Sequence, residues 1–390
     1  MLFTLEALQA GRGDSLVLHF GRTDAPRFIV VDGGPATVYP NSLKPRLTQL
    51  RQEFKNEDDD MLDVEMVMVS HIDDDHINGI LEWFEELDKN QDQGLPYNIQ
   101  TLWFNSFDEI VGNAAQELKS RLASVGKPDV FNADPKQAQR TAAIVASVGQ
   151  GRDLRSVTDR LGIGLNRGFS GLVMAPQKVG EAVVDIGAGL TFRVLSPSMK
   201  RLRALSDEWE RDVRLHPGEA VTAAFVDRSV ANLSSIVVLA EMKDGTATRR
   251  MLLTGDARGD DIAEGLGNAG LLTNGKLHVD LLKFPHHGSN RNMRLDFLQN
   301  ITADHYVISA DGEYDNPDKE VVEWLAKARG MDPYTIYITN EHLFEPKKKT
   351  NIEQIIKGAL AKHPSPNRTV VFRKENDLSV KVDLMDRLPF

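Results

Sequence analysis

The chain has 390 residues, a formal charge of -11, no cysteine, and 41% hydrophobic and 26% charged residues. That balance gives a globular α/β or α+β protein with a substantial core and excludes a fibrous or disordered chain. Without cysteine there is no disulfide and no thiolate metal site, and the acidic surplus opposes a surface that coats polyanions throughout.

Residues 1–34 read as short strands broken by glycine, FTLEAL, SLVLHF and FIVVDGG, spaced as antiparallel hairpins that open a sheet. No basic segment followed by a long apolar one opens the chain and nothing reads as a membrane span, so a cytoplasmic protein without membrane partners is expected. The run VEMVMVS, 64–70, suits a strand buried on both faces. After it, Ile77, Ile80, Leu81, Phe84 and Leu87 recur at helical spacing. The loop between them packs His71 and His76 around Asp73, Asp74 and Asp75. Three adjacent carboxylates repel one another, so something must offset their charge.

Residues 109–161 are rich in Ala, Lys, Arg, Glu and Gln and read as two or three helices; apart from TLWFNS before them, they offer little chemistry. Strands resume with LTFRVLSPS (190–198), NLSSIVVLAEM (232–242), RRMLLTGDA (249–257) and HVDLLKFPHHGSN (278–290). The last part alternates: HYVISAD, a helix over DKEVVEWLAKA, YTIYIT, a helix over NIEQIIKGALAKH, and two closing strands. Strands followed by helices in both halves imply two sheets packed face to face with helices outside.

Three strand ends terminate in metal-ligating residue types: His71, Asp73, Asp75 and His76; Asp256; His286 and His287. Each alone has an ordinary explanation. Acidic residues before a helix cap it, TGDA is a common turn, and paired histidines can be buried hydrogen-bonding groups. Together, all at strand ends, they favour convergence on divalent cations, which neutralise the crowded carboxylates.

The pattern His71-x-Asp73-x-Asp75-His76, then Thr254-Gly255-Asp256-Ala257, then His286-His287-Gly288-Ser289 resembles the metallo-β-lactamase fold superfamily. It is most similar to the hydrolase domain of the bacterial competence protein ComEC and its stand-alone relatives. GRGDSLVLHF, FIVVDGG, NLSSIVVLAE and YVISADGEYDNPDKEVVEWL extend the likeness, which covers about residues 1–90 and 190–330. The resemblance implies an α/β protein, an αββα four-layer sandwich, with 1–390 one hydrolase domain and 109–161 a helical insertion in it. It implies two divalent ions, Zn²⁺ or Mn²⁺: His71 and Asp73 at the first, Asp75, His76 and one of His286 or His287 at the second, Asp256 bridging. Asp75, Asp256 and His287 then carry catalysis through a metal-bridging hydroxide. Asp74 points away or caps the helix. Asp14, Asp32, Asn232 and Ser234 orient ligands, and Lys283, Ser289 and Arg291 bind substrate.

The chain departs from the family pattern in two places. Asp73 stands where a histidine is commonest, and Asn232 and Ser234 occupy the strand that usually adds another, so the first position is oxygen-rich and Mn²⁺ competes with Zn²⁺. Asp315 and Asp318 replace the usual histidine of a later His-Pro segment. The branch implies a phosphodiesterase or nuclease with a nucleic-acid substrate. Two alternatives stand beside it: a hydrolase of a small ester, lactone, thioester or β-lactam, or a subunit of an anti-phage defence assembly whose site is regulated by a larger NTPase partner docked on the insertion.

Overall fold

The computed structural model describes residues 1–106, 109–110, 149–176, 183–203, 234–340 and 351–388. The opening runs form β1 (Leu2–Leu8), β2 (Ser15–Arg22) and β3 (Ala25–Gly33), paired antiparallel as their glycine-broken spacing predicts. Parallel strands follow: β4 (Leu62–Met68), β5 (Tyr97–Ile99), β6 (Thr101–Trp103) and β7 (Gly164–Leu165). The second sheet runs through β8 (Val183–Gly187), β9 (Leu190–Ser196), β10 (Val237–Asp244), β11 (Ala247–Leu253), β12 (Leu277–Lys283), β13 (Ile301–Ile308), β14 (Tyr334–Ile338) and β15 (Arg368–Phe372). It is antiparallel up to β11 and parallel beyond. β16 (Ser379–Asp383) returns to pair with β1, so the last strand closes the first sheet.

Period-two alternation decides which sheet face each residue joins. Leu16, Leu18 and Phe20 enter the core between the sheets with Phe192, Val238, Met251 and Leu281, whereas Val17 lies on the opposite face. That outer face is covered by α1 (Lys44–Phe54) and α2 (Asp74–Lys89), through Leu47, Leu50, Ile77, Ile80 and Phe84. The outer face of the second sheet is covered by α3 (Gly259–Asn268), α4 (Leu295–Asn300), α5 (Lys319–Arg329) and α6 (Ile352–Leu360). The molecule is therefore an α/β sandwich of two mixed sheets with helices on both outer faces.

α2 comes unusually close to the end of β3. A Cβ on Gly79 would lie 2.0 Å from the Gly33 oxygen, and one on Gly33 would lie 2.2 Å from the Ile80 nitrogen. Only glycine at both positions allows this approach, which sets the helix start against the first sheet.

One expectation changes, and one helix was not expected. The strand expected over 232–242 begins only at Val237, because Ile236 N donates to Ser70 O (2.8 Å), a bond to the first sheet. α3 escapes the periodicity reading because three glycines in GDDIAEGLGN weaken its helical signal, yet Ile262 and Leu266 bury it against the sheet. Of the helical insertion, 109–110 and 149–160 are helical and the intervening 111–148 lie outside the described residues.

A second buried charge group lies on the outer side of β1 and β2. Glu6 accepts from Arg46 Nε (2.9 Å), contacts His19 Nε2 (2.9 Å) and accepts from Ser379 Oγ. Burial pushes the Glu6 carboxyl up, but His19 and Arg46 outweigh it and bring it down to about 2 from 4.5. A depressed carboxyl stabilises the fold fully above its unfolded pKa and loses that contribution as pH falls through its folded one. Over this window it contributes on the order of 3 kcal/mol. Denaturant unfolding from pH 7 to pH 2 is expected to show Glu6→Gln already less stable at pH 7, with a shallower loss below pH 4.5 than the wild type; equal slopes would mean that Glu6 does not supply this term.

Candidate metal centre

The chemistry-bearing residues lie where strand ends of both sheets meet. β4 runs into Ser70 and His71; β11 runs into Thr254, Gly255 and Asp256; the parallel neighbour β12 runs into Pro285, His286 and His287. The Ile236 N to Ser70 O bond and the His286 N to Gly255 O bond (3.1 Å) hold these three ends in register. Asp73 occupies the N-cap position of α2 but makes no side-chain cap bond, so its carboxylate is not consumed by the helix. The helix start instead presents its positive end to the three aspartates.

The two oxygens of the buried Asp256 face different partners. Oδ2 lies 3.8 Å from His71 Nε2 and 3.7 Å from His286 Nε2, and His71 Nε2 is 3.6 Å from Asp73 Oδ2. Oδ1 lies 3.2 Å from His76 Nε2 and 3.6 Å from His287 Nε2, and His287 Nε2 is 3.8 Å from Asp75 Oδ2. The potential ligand atoms of His71, His76 and Asp256 lie within 4.8 Å of one another, and so do those of Asp75, His76 and His287. These buried groups are close enough to bind a metal ion. Of the consecutive histidines, His287 belongs to such a group, while His286 flanks Asp256 from the other side. Both have left-handed backbone, φ 48° and 55°, a strained turn that aims successive imidazoles at different oxygens.

The other imidazole nitrogens are occupied. His76 Nδ1 donates to Asp32 Oδ2 (2.9 Å) and His287 Nδ1 to the Ser309 carbonyl (2.9 Å). His286 Nδ1 donates to Asn292 Oδ1 (2.8 Å), an amide oriented by its own donation to the Asp256 carbonyl (2.7 Å). Ser70 Oγ donates to Asp32 Oδ2 (2.7 Å) and therefore accepts from His71 Nδ1 (3.0 Å). These bonds favour the proton on Nδ1 when a ring is neutral, which leaves Nε2 facing inward, the arrangement that suits a metal ligand. Nε2 of His71, His76 and His287 and Oδ1 of Asp256 are buried without a hydrogen-bond partner. A buried polar atom left unpaired costs about 1–3 kcal/mol, so the residues fit a divalent cation.

Charge follows the same geometry. Burial works to raise the Asp256 carboxyl, yet His286, His76 and His287 hold it well below the usual carboxylate range. Burial works to lower His76, but Asp256 and Asp32 raise it well above an ordinary imidazole. His287 is also raised, burial being outweighed by Asp256 and Asp14, whereas burial lowers the more weakly opposed His286.

The remaining expected residues fall into different places. Asp32 is buried in a left-handed conformation, φ 59°, and also accepts from Ser70 N (2.7 Å), so it orients two histidines. Asp14 is brought to the centre by Gly13, whose Cβ would lie 1.9 Å from the Asp75 oxygen. Lys283 is not on a substrate-facing rim. It shares the inner strand face with Leu281, is fully buried, and donates to Asp14. Lys283, then His287, overcome burial and hold the Asp14 carboxyl well below its ordinary value. Ser289 is also buried and accepts from Arg291 N at 3.4 Å, a turn contact, while Arg291 itself is exposed. Asp74 does point away, pairing with Arg12 (3.1 Å). Ser234 is buried, and its neighbour Ser235 is the residue that meets Asp256, accepting from its backbone nitrogen at 3.3 Å. Asn232 lies outside the described residues.

Ser70, Asn292 and Ser309 were not singled out from sequence. Ser70 and Asn292 sit beside the motifs and could have been weighed as their supports; Ser309 acts through its carbonyl, for which side-chain identity gives no signal.

No protein-family model matches the chain, and no curated protein matches it.

Two outcomes are expected. Calorimetric titration of chelated protein with Zn²⁺ or Mn²⁺ gives tight binding to the wild type and at least a hundredfold weaker binding to Asp256→Ala, since the carboxylate serves both sides of the centre; unchanged affinity would remove Asp256 from it. Lys283→Met leaves the Asp14 charge buried without its ammonium partner and lowers unfolding free energy by about 3–5 kcal/mol, whereas Arg291→Ala changes it by less than about 0.5 kcal/mol.

Proposed function

We propose that this chain is a dinuclear metal-dependent hydrolase of the metallo-β-lactamase fold, acting on phosphodiesters. The observation that carries the reading is the buried Asp256 carboxylate, whose two oxygens face two sets of inward-pointing imidazole nitrogens. His71, Asp73 and Asp256, flanked by His286, would hold one ion; Asp75, His76, His287 and Asp256 would hold the other. Such ions, Zn²⁺ or Mn²⁺, supply Lewis acidity at the bond under attack and acidify water, and a pair suits both the attacking and leaving oxygens of a phosphodiester. The two-sheet sandwich with helices outside and the order of the strand-end motifs support the family reading.

The chain's own residues keep this chemistry in place. Asp32, Ser70, Asn292 and the Ser309 carbonyl hold the imidazole protons on Nδ1. The Lys283–Asp14 pair backs His287 from behind, with Asp14 Oδ1 at 3.5 Å from its Nδ1. Asp73 and Asp75 are each 18% exposed and form the open side of the centre, where substrate and water arrive. The exposed Arg291 is a cation of the rim that meets a phosphate backbone. With this site work in bacterial anti-phage defence and a larger NTPase partner are consistent; the same resemblance suggests both.

The test is cleavage of single-stranded and duplex DNA and RNA by the wild type and Asp256→Ala, each chelated and then titrated with Mn²⁺, Zn²⁺ and Mg²⁺. Mn²⁺- or Zn²⁺-dependent cutting that drops by at least a thousandfold in Asp256→Ala is expected, with Mg²⁺ weakest because imidazole ligands suit it least. A wild type that binds both ions and cuts no phosphodiester would overturn the reading.

A further inference from the structure

Tyr314 is 53% exposed, the one aromatic among the exposed large hydrophobic residues described; the others are Val183, on β8, and Met331, in the turn after α5. It stands in the short turn Glu313–Asp315 that follows β13. Its backbone is left-handed, φ 59°, and so is that of Asp315, φ 66°. Two successive non-glycine residues in that region are costly, and such strain persists only where the surroundings impose it.

The surroundings are the candidate centre itself. After the turn, Asp318 N donates to Gly288 O (3.0 Å) and the Asp318 carboxylate accepts from Asn290 N (2.7 Å), which ties the segment to the His286–His287 loop. Before it, Ser309 Oγ donates to Gly13 O (2.6 Å), which ties it to the loop that carries Arg12 and Asp14. Arg12 places its guanidinium 6.0 Å from the Tyr314 ring centroid and pairs with Asp74, between the candidate ligands Asp73 and Asp75. An exposed aromatic ring thus stands on a segment tied to the His286–His287 loop and to the Gly13–Asp14 loop, with Arg12 linking it to the start of α2.

We propose that Tyr314, steadied by Arg12, is a stacking platform for a base next to the scissile bond, so that the substrate is a nucleotide phosphodiester rather than a sugar or lipid one. The proposal rests on the phosphodiesterase reading and deepens it. A ring face with one guanidinium accepts any base, because every base has a π-face. The exposed carboxylate of Asp315, next to Tyr314 in the chain, repels phosphate from this edge. The base therefore lies toward Tyr314 and the phosphate toward the candidate ligands.

The experiment measures steady-state cleavage of a thymidine dinucleotide and of its abasic counterpart by the wild type, Tyr314→Ala, Tyr314→Phe and Tyr314→Trp, all full-length and loaded with the ion that supports cleavage. Stacking predicts that the wild type prefers the base-bearing compound. In Tyr314→Ala, KM for that compound rises about five- to 150-fold, with kcat within about twofold and the abasic substrate unaffected; Tyr314→Phe and Tyr314→Trp keep the preference. If Tyr314→Ala discriminates as the wild type does, the platform is wrong while the phosphodiesterase reading stands. If the wild type cleaves neither these nor any longer nucleic acid, the underlying reading fails and the platform with it. Because Tyr314 is exposed, thermal unfolding of Tyr314→Ala is expected to match the wild type, which separates loss of stacking from loss of fold.

Discussion

Burying a carboxylate costs several kcal/mol unless other charges answer it, and Asp256 is buried with both oxygens facing imidazoles. Much of the surrounding structure follows from that constraint. The histidines that answer Asp256 must present Nε2, so their Nδ1 atoms need acceptors, and Asp32, Ser70, Asn292 and Ser309 provide them. Asp14, drawn in behind His287 and His76, then requires Lys283. Each added charge is met by another, outward from the carboxylate that both sheets enclose.

The Glu6 and Asp256 groups, both buried among the described residues, differ in a way that separates structure from chemistry. Around Glu6, the carboxylate is met by Arg46, His19 and Ser379, and its charge is satisfied within the protein. Around Asp256, three inward nitrogens and one oxygen have no hydrogen-bond partner. The first group holds β1, β2, β16 and α1 together. The second brings groups close enough to bind a metal ion, and it sits where strand ends open to solvent through Asp73 and Asp75.

Close backbone approach is what makes the second arrangement rigid. Gly33 against Gly79 sets α2, and Gly13 against Asp75 sets the loop of Asp14, at distances no side chain would permit. The left-handed residues Asp32, His286 and His287 add strain at the same place, which the ties between strand ends sustain. Packed glycines and strained backbone together restrict where these side chains can point, the preorganisation that polar chemistry in a buried site requires.

Local order was legible in the sequence. Periodicity marked β1 to β4, α2, α5 and α6, and the absence of cysteine limited any metal to nitrogen and oxygen ligands. The strand-end motifs also identified His71, Asp73, Asp75, His76, Asp256, His286 and His287 as one constellation. Only the tertiary structure decided how that constellation is divided. The sequence could not say that Asp73 leaves its helix uncapped, that His287 joins Asp75 and His76 while His286 flanks the other oxygen, or that Lys283 turns inward to Asp14. Nor could it locate α3, whose glycines hide a helix that burial alone stabilises. The physical reason is that spacing encodes which face a residue joins within its own element, whereas these facts depend on how two sheets, far apart in the chain, meet at their ends.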